Sequence, residues 1–331
     1  MAQVIGIIAG LLKIVQFGID NFSEEPDPGS TIKVAVALDG KGGTNNAGGD
    51  LPDVRVWNEY VDFVGMTADP GHVGHGNLGQ IDVEHENQGV YSLFSANDDA
   101  ICVAWATTTW SEERGGNKYA VSGDFGRECG GTWYVSGMYP SSETDYQPDC
   151  FWIDANGDQP QTGFQVRWPA FSGQEWDKND TDPQRFCNDV DFGLRDEPDP
   201  NTITYWTRSG VVGNKVAGSG RRTGAALRRR TSWAAEELVI SDSKSHSAQR
   251  LCESDTSMGP DFAHESERLF CDMGTKTLYD YCTGETDGPC FDSNIQALST
   301  NKRGASRVRS AVVPYKRVRD WRGGNKGRRA A

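Results

Sequence analysis

Three of the five histidines lie close together in the sequence and could bind a metal ion. His72 and His75 form a His-x-x-His pair in the stretch GHVGHG, and His85 follows in VEHE. Neutral imidazole is a good ligand for Zn²⁺ and Cu²⁺, so these side chains predict a zinc or copper site. The pair lies in a glycine-rich stretch, and the HExxH motif of zinc peptidases is absent from the sequence. An ordinary surface loop is the alternative interpretation.

A second candidate site is the segment Asp154-Ala-Asn156-Gly-Asp158, which places three oxygen ligands at alternate positions. This spacing is typical of the beginning of a Ca²⁺-binding loop. The segment departs from the EF-hand pattern, because Gln159 replaces the glycine of the sharp turn and Gln165 replaces the bidentate glutamate. The alternative is a β-turn rich in Asx residues, which needs no ion. Other acids could complete a different Ca²⁺ site, namely Asp177, Asp180, Asp182, Asp189 and Asp191.

The sequence contains none of the common motifs that indicate a specific reaction. It has no GxSxG nucleophile elbow, no P-loop and no GxGxxG before a helix. The chain contains 47 aspartates and glutamates. With so many carboxylates, a pair at the spacing of a glycoside hydrolase does not indicate that activity. The sequence therefore favours a non-enzymatic function. A metal-dependent hydrolase or oxidase at the three histidines is the enzymatic alternative.

Two of the ten tryptophans lie among polar residues and could contact a ligand. Trp110 occurs in TTTWSEER at the end of a predicted strand, and Trp176 occurs in SGQEWDKND. Exposed aromatic rings beside acidic and amide side chains suit stacking on sugar rings or contact with a membrane interface. Partial burial against loops is the alternative interpretation.

The most apolar segment of the chain is residues 1–22. Its polar and small residues recur every three or four positions, which predicts an α-helix with a narrow polar stripe. Such a helix must be buried in lipid, in protein or against copies of itself. It could be an atypical targeting signal, a structural helix that packs on the rest of the protein, or a membrane-active helix. The expected membrane or assembly face comprises Val4, Ile5, Ile8, Leu11, Leu12, Val15, Phe17 and Ile19.

The remainder of the chain predicts a mainly β protein. A linker at 23–31 leads into short apolar or alternating runs, which are separated by Gly, Asn, Asp and Pro through residues 32–206. This rhythm is typical of an antiparallel β-sandwich or barrel. A basic flexible linker at 207–230 then precedes a small cysteine-rich module at 231–298. The basic tail, 299–331, lacks periodicity and should be disordered.

Charge is distributed unevenly along the chain. The net charge is -14, but residues 299–331 contain eleven Lys and Arg and one Asp, a local charge of +10 that leaves -24 on residues 1–298. A protein this acidic repels nucleic acid, so we expect no nucleic-acid partner.

The eight cysteines are widely spaced and include no CxxC pair, which favours disulfides over zinc ligation. The simplest pairing in the β-rich region joins Cys102 to Cys129 and Cys150 to Cys187, although four cysteines allow three connectivities. Disulfides imply an oxidising compartment and hence secretion. The smaller module should hold two disulfides among Cys252, Cys271, Cys282 and Cys290.

Two further signals fit secretion. The sequons Asn21-Phe-Ser and Asn179-Asp-Thr could carry N-linked glycans. The basic steps at 221–222, 228–230 and 302–303 look like sites for a secretory processing protease. Solvated linker charge is the alternative interpretation of these basic steps.

Three stretches carry a resemblance: NKYAVSGDFGRECGGTWY, DYQPDCFWIDANGDQPQTGFQVRWP and LCESDTSMGPDFAHESERLFCDM. With them the chain resembles cysteine-containing secreted proteins of filamentous fungi, over most of residues 90–290. The resemblance implies extracellular localisation and a fungal origin, and it implies no activity. An apolar helix ahead of a β-sandwich is also similar in layout to actinoporin-type pore formers, without a shared residue motif.

These observations lead to three functional hypotheses. The first is a secreted, non-enzymatic protein, toxin- or effector-like, whose N-terminal helix inserts into a lipid membrane or assembles with copies of itself. The second is a secreted module that binds cell-wall glycan or a cell surface through exposed aromatic side chains. The third is the metal-dependent hydrolase or oxidase.

Overall fold

The computed structural model describes residues 4–8, 13–24, 28–40, 44–172, 182–207, 210–213, 235–242, 244, 246–254, 257, 259–283, 288–301 and 315–322. The chain divides into two compact units, residues 1–206 with 211–225 and residues 207–210 with 226–331. Each unit has hydrophobic clusters of its own. The protein is mainly β, with predominantly antiparallel pairing, as predicted.

The strands of the first part of the chain are β1 Val4–Ile8, β2 Lys13–Phe17, β3 Gly29–Val36, β4 Gly49–Asp50, β5 Asp53–Trp57, β6 Phe63–Thr67, β7 His72–Val73, β8 Leu78–Glu84, β9 Tyr91–Ser95, β10 Ile101–Trp110, β11 Lys118–Ser122, β12 Trp133–Val135, β13 Asp149–Ile153, β14 Gly163–Arg167, β15 Phe192–Arg195, β16 Thr204–Thr207 and β17 Gly210–Gly213. Helix α1 spans Asp124–Glu128. The 3-10 turns are Ile19–Asn21, Glu112–Arg114, Trp168–Phe171 and Pro183–Phe186.

Strand β10 is the centre of an eight-stranded sheet that also contains β1, β2, β3, β8, β11, β12 and β13. Every residue of β10 is buried, including three consecutive threonines. Hydrogen bonds satisfy two of these hydroxyls, because Thr107 Oγ1 donates to the Asn21 carbonyl (2.5 Å) and Thr109 Oγ1 accepts from the Ser23 N–H (3.1 Å). These two bonds offset part of the cost of burying a polar strand, while the Thr108 hydroxyl has no hydrogen-bond partner among the described residues.

A five-stranded sheet, in the order β15-β14-β9-β5-β6, shares one hydrophobic cluster with the larger sheet. Phe94 and Phe164 of this sheet stack with ring centroids 4.3 Å apart. Phe151 of β13 contacts Phe164 edge-on from the larger sheet, at 5.0 Å. A Cβ on Gly126 of α1 would lie 2.1 Å from the Phe151 ring, so only glycine allows α1 to approach this aromatic cluster.

The helix predicted for residues 1–22 is not present in the described residues of that segment. β1 and β2 form an antiparallel hairpin, and β1 pairs in parallel with β11. The physical reason is composition: valine and isoleucine dominate the segment, and β-branched side chains favour strands over helices. In the described part of the chain, no helix is both long enough and apolar enough to cross a membrane.

The residues of the expected helical face therefore have other positions. Val4, Ile5 and Ile8 lie on β1, and Val15 lies on β2. Leu11 and Leu12 lie outside the described residues. Phe17 is buried, and its ring centroid lies 6.2 Å from that of Trp105. Ile19, by contrast, is 55% exposed.

Asn21, the first predicted glycosylation site, is buried. Its side-chain amide donates to the Pro140 carbonyl (2.7 Å), and its Oδ1 accepts from Trp105 Nε1 (2.8 Å). This sequon therefore lacks the exposed amide that glycan attachment requires. Asn179 lies outside the described residues.

Four disulfides join all eight cysteines, which confirms disulfide bonding and is consistent with an oxidising compartment. The predicted pairing in the first unit is wrong, because Cys102 bonds to Cys150 and Cys129 to Cys187. Antiparallel pairing of β10 with β13 places the Cα atoms of Cys102 and Cys150 5.3 Å apart. The other bonds are Cys252–Cys271 and Cys282–Cys290, so each disulfide lies within one unit.

The second unit contains β18 Glu237–Ser241, α2 Ala248–Glu253, β19 Asp261–His264, β20 Leu269–Asp272, β21 Thr277–Asp280, β22 Gly288–Asp292, β23 Ala297–Asn301 and β24 Arg317–Asp320. β24 lies within the tail predicted to be disordered and pairs in parallel with β18. Buried Glu237 explains the order of this basic strand, because its carboxylate pairs with Arg317 (3.6 Å) and Arg319. The negative charge of Glu237 offsets the repulsion between the two arginine side chains.

Candidate functional site

The structure does not bring together the three histidines predicted to share a metal ion. His85 is buried, and both of its ring nitrogens have partners: Nδ1 donates to the Asn87 carbonyl (2.5 Å) and Nε2 accepts from Ser30 Oγ (2.7 Å). His75 is exposed, and its Nδ1 accepts the backbone N–H of Asp39 (3.4 Å). His85 therefore has no ring nitrogen available for a metal.

Acid should destabilise the first unit through His85. Burial lowers the pKa of His85 from 6.5 to about 4, so the unfolded state binds this proton more tightly. Stability from this group is fully present above pH 6.5 and is lost as the pH falls towards 4, by about 3 kcal/mol in total. Urea unfolding of the wild-type protein and His85→Gln at pH 7 and pH 4 measures this loss as the difference between the two pH dependences. Identical pH dependences would contradict the assignment.

His72 lies beside two aspartates instead of histidines. Its Nδ1 is 3.3 Å from Asp50 Oδ1 and 3.9 Å from Asp99 Oδ2. One ligand atom from each of the three side chains falls within a cluster 4.8 Å across. The cluster combines one imidazole with two carboxylates, a donor set that divalent transition metals accept.

Asp154, Asn156 and Asp158 form an Asx-rich turn, the second of the two interpretations of this segment. Asp154 is buried, and its two carboxylate oxygens accept the backbone N–H groups of Asn156 (3.3 Å) and Asp158 (3.0 Å). Asn156 Oδ1 also accepts the Asp158 N–H (3.0 Å). These oxygens stabilise the turn itself and point to backbone donors.

The two tryptophans predicted to be exposed do not form a ligand platform in the described structure. Trp110 is 3% exposed and packs edge-on against Tyr119, with centroids 5.2 Å apart. It ends the fully buried strand β10, so its polar sequence neighbours do not reflect its environment. Trp176 lies outside the described residues.

Exposed aromatic residues instead occupy strand β12, here called the aromatic edge (Trp133, Tyr134 and Val135). Their exposed fractions are 46%, 51% and 43%, and Tyr139 nearby in sequence is 55% exposed. β12 is an outer strand of the larger sheet and pairs with β13. Side chains alternate between the two sides of a strand, so the aromatic edge presents apolar surface on both.

A charged network fixes a guanidinium against the aromatic edge. The Arg127 guanidinium lies 5.2 Å from the Trp133 ring centroid, within the range of a cation–π contact. Arg127 pairs with Glu128 (2.7 Å) and with Asp149. Burial raises the pKa of Asp149, and burial raises that of neighbouring Asp124 to about 6. The ion pairs therefore position Arg127 against the exposed indole.

A cleft of about 390 Å³ adjoins the aromatic edge. The link is Gln161, which lines the cleft and whose Oε1 accepts the backbone N–H of Thr132 (2.9 Å), the residue before Trp133. The cleft is polar and includes four charged side chains: Asp189, Arg195, Asp196 and Glu197. Carboxylate, amide and guanidinium groups in one cleft can hydrogen-bond a polyhydroxylated ligand.

Arg195 is the most buried charged group of the cleft, with 8% of its surface exposed. Its guanidinium donates to Gln165 Oε1 (2.6 Å) and to the Leu194 carbonyl (3.0 Å). Burial lowers the pKa of Arg195 and raises that of Asp189. A Cβ on Gly193 would lie 2.7 Å from Arg195 Nη1, so glycine at this position leaves space for the guanidinium.

Comparison with protein-family models, with curated proteins and with solved structures found no match to this chain. The resemblance to fungal secreted proteins stays a prediction. The functional assignment therefore rests on the geometry described above.

The aromatic edge was not predicted from the sequence, although the sequence contains a pattern that indicates it. Trp133, Tyr134 and Val135 are three consecutive large apolar residues between a glycine pair and a Ser-Gly step. A strand of three residues cannot turn all of its side chains towards one core, because neighbouring side chains face opposite sides. Consecutive bulky residues on so short a strand therefore indicate an exposed apolar surface.

Proposed function

We propose that this protein is a secreted, non-enzymatic module that binds cell-wall carbohydrate through the aromatic edge and the adjoining cleft. The observation that carries the proposal is the half-exposed ring of Trp133, which contacts Arg127 beside a polar cleft, with Tyr134 on the opposite side of β12. Sugar rings have apolar faces that stack on aromatic side chains and hydroxyl groups that bond to carboxylates, amides and guanidinium groups. Four disulfides fit the extracellular medium in which such a ligand occurs.

The proposal includes the finer fold assignment, a β-sandwich in which the eight-stranded and five-stranded sheets pack face to face. The aromatic contacts of Phe151 with Phe164 and Phe192 support it, because they join the two sheets. On such a scaffold the aromatic edge is held rigidly by β13. A rigid platform loses little conformational entropy when it binds a ligand.

Truncation of the aromatic edge tests the proposal. We expect Trp133→Ala to weaken binding of soluble β-glucan or chitin oligosaccharides at least tenfold, because one ring contributes about 1.5 kcal/mol of apolar contact. Tyr134→Ala, on the opposite side of β12, should change Kd less than threefold. Isothermal titration calorimetry on the full chain gives Kd. Asp196→Asn, which removes an exposed charge of the cleft, tests the polar half of the site in the same assay.

Phe63→Ala is the matched control, because Phe63 is 55% exposed on β6 of the other sheet. This variant should bind oligosaccharides as the wild-type protein does. An equal loss in Phe63→Ala, or wild-type protein that binds none of the oligosaccharides, would contradict the proposal.

Self-association through the aromatic edge is a second candidate function, favoured by the position of β12 at the border of its sheet. Exposed apolar border strands offer free backbone groups and apolar side chains to another strand. Val135→Lys should then abolish any dimer seen by sedimentation velocity. Met66→Lys is the control, because Met66 is 40% exposed on β6, an outer strand of the five-stranded sheet. A monomer at all concentrations contradicts self-association and leaves carbohydrate binding unaffected.

A further inference from the structure

We propose that Asp50, His72 and Asp99 bind one divalent transition-metal ion, with Zn²⁺ as the best-fitting class. This site is separate from the carbohydrate-binding surface and uses none of its residues. Of the three histidines predicted to bind metal, it uses only His72. The other two ligands come from strand β4 and from the loop before β10.

Backbone pairing holds the three ligands in place. The short strands β4 and β7 are antiparallel, and Asp50 lies directly opposite His72. The Asp50 N–H donates to the Asp99 carbonyl (3.0 Å), which attaches the third ligand-bearing segment to the same strand. A Cβ on Gly49 would lie 2.4 Å from the Ala100 carbonyl oxygen and 2.5 Å from that of Asp99. Glycine at position 49 therefore permits the approach that assembles the three ligands.

The spacing of the donor atoms suits a small ion. Around tetrahedral Zn²⁺, with bonds of about 2.0–2.2 Å, neighbouring ligand atoms lie about 3.4 Å apart. His72 Nδ1 is already 3.3 Å from Asp50 Oδ1, and Asp99 Oδ2 is 3.9 Å from the same nitrogen. Small side-chain rotations therefore complete the three-ligand geometry. One imidazole and two carboxylates fit Zn²⁺ better than Ca²⁺, which takes six to eight oxygen ligands.

The carboxylates of Asp50 and Asp99 have fewer hydrogen-bond partners than other carboxylates nearby. Asp53 Oδ1 accepts the backbone N–H of Asp69 (2.9 Å) and the Asn97 amide (3.1 Å), and Asp154 accepts two backbone N–H groups. Within the described residues, the side chains of Asp50 and Asp99 have polar contacts only with His72. Their oxygens are therefore available to a metal ion.

The surroundings are acidic, which favours a cation. The Asx-rich turn lies against the loop that carries Asp99, because the Asn156 amide donates to the Asp98 carbonyl (3.1 Å) and the Ala155 N–H to the Asn97 carbonyl (3.2 Å). Asp98 precedes Asp99 in the chain and Asp158 belongs to this turn, so both add negative charge to the region. An acidic region raises the local concentration of divalent cations. The exposed ligands leave coordination positions for water, with 60% of the His72 side chain and 63% of that of Asp99 exposed.

Titration of the metal-free full chain with ZnCl₂ tests the site. After dialysis against EDTA, calorimetry should show one Zn²⁺ bound per chain, and His72→Ala, Asp50→Asn and Asp99→Asn should each raise Kd at least tenfold. His75→Ala is the matched control, because His75 is exposed in the same glycine-rich stretch and should leave Kd unchanged. Asp158→Asn controls for the general acidity of the region and should change Kd less than threefold.

Three results would overturn the inference. They are no Zn²⁺ binding by the wild-type chain, an unchanged Kd in His72→Ala, or the same loss in His75→Ala as in His72→Ala. Circular dichroism of each variant verifies folding. The three ligand side chains are solvent-accessible and lie outside the hydrophobic clusters. His72→Ala should bind oligosaccharides with the same Kd as the wild-type protein. The experiments can therefore contradict the metal site and the carbohydrate site separately.

Discussion

Asp191→Ala is expected to lower the free energy of unfolding of the first unit by about 3–5 kcal/mol, because it leaves a buried guanidinium unpaired. Arg167 and Asp191 form an ion pair of 2.7 Å, and the two side chains are only 4% and 9% exposed. Asp191 also accepts from the Trp206 indole (3.1 Å) and the Asn188 amide (2.9 Å). Removal of one carboxylate therefore takes an acceptor from the buried Arg167 guanidinium and from the part-buried donors of Trp206 and Asn188.

Urea titration followed by hydrogen–deuterium exchange of peptides from β14 reports on this unit specifically. Asp199→Asn is the matched control: its ion pair with Arg55 has a similar length, 3.0 Å, but Asp199 is 71% exposed. Exposed pairs contribute about 0–1 kcal/mol, so the control should lose less than 1 kcal/mol. Equal losses in the two variants would show that burial does not decide the strength of these pairs.

Removal of the Cys102–Cys150 disulfide is expected to cost the first unit about 4 kcal/mol or more. The two residues are 48 positions apart, and the entropy of the closed loop alone corresponds to about 4 kcal/mol. Both cysteines are fully buried in the shared hydrophobic cluster, so replacing them by alanine also leaves unfilled space. The double variant Cys102→Ala/Cys150→Ala should therefore unfold at much lower urea concentration than the wild-type protein.

The second disulfide of the unit separates these two contributions. Cys129–Cys187 spans 58 positions, which gives nearly the same loop entropy, but both of its residues are partly exposed. We expect Cys129→Ala/Cys187→Ala to lose about 4 kcal/mol and less packing energy than the buried pair, because Cys129 only borders the cluster. A larger loss in this variant than in Cys102→Ala/Cys150→Ala would contradict the packing argument.

Local sequence patterns predicted the β-rich fold, because strands and turns depend on alternation and on glycine, asparagine and proline within a few residues. The N-terminal segment misled this approach: its three- and four-residue spacing favours a helix, while its valines and isoleucines favour the observed hairpin. Trp110 misled it in another way. The threonines before it indicate exposure, yet the hydroxyls of Thr107 and Thr109 bond to the backbone of residues 21–23 inside the protein.

Pairings between distant segments could not be predicted from local patterns. Cys102 meets Cys150 because β10 and β13 are neighbours, which no spacing along the chain reveals. In the same way, His72 was recognised as a metal ligand by its residue type, but its partners Asp50 and Asp99 come from segments that only the sheet pairing brings together. Residue type indicates the chemistry, and topology decides the partners.

The confinement of every disulfide to one unit determines what proteolysis would release. A cut at the arginines of 228–230 falls between Cys187 and Cys252, and no sulfur–sulfur bond spans that gap. No disulfide would then join the two fragments. Under the proposed function, the fragment with the aromatic edge would keep the carbohydrate-binding residues, and the smaller fragment would carry none of them.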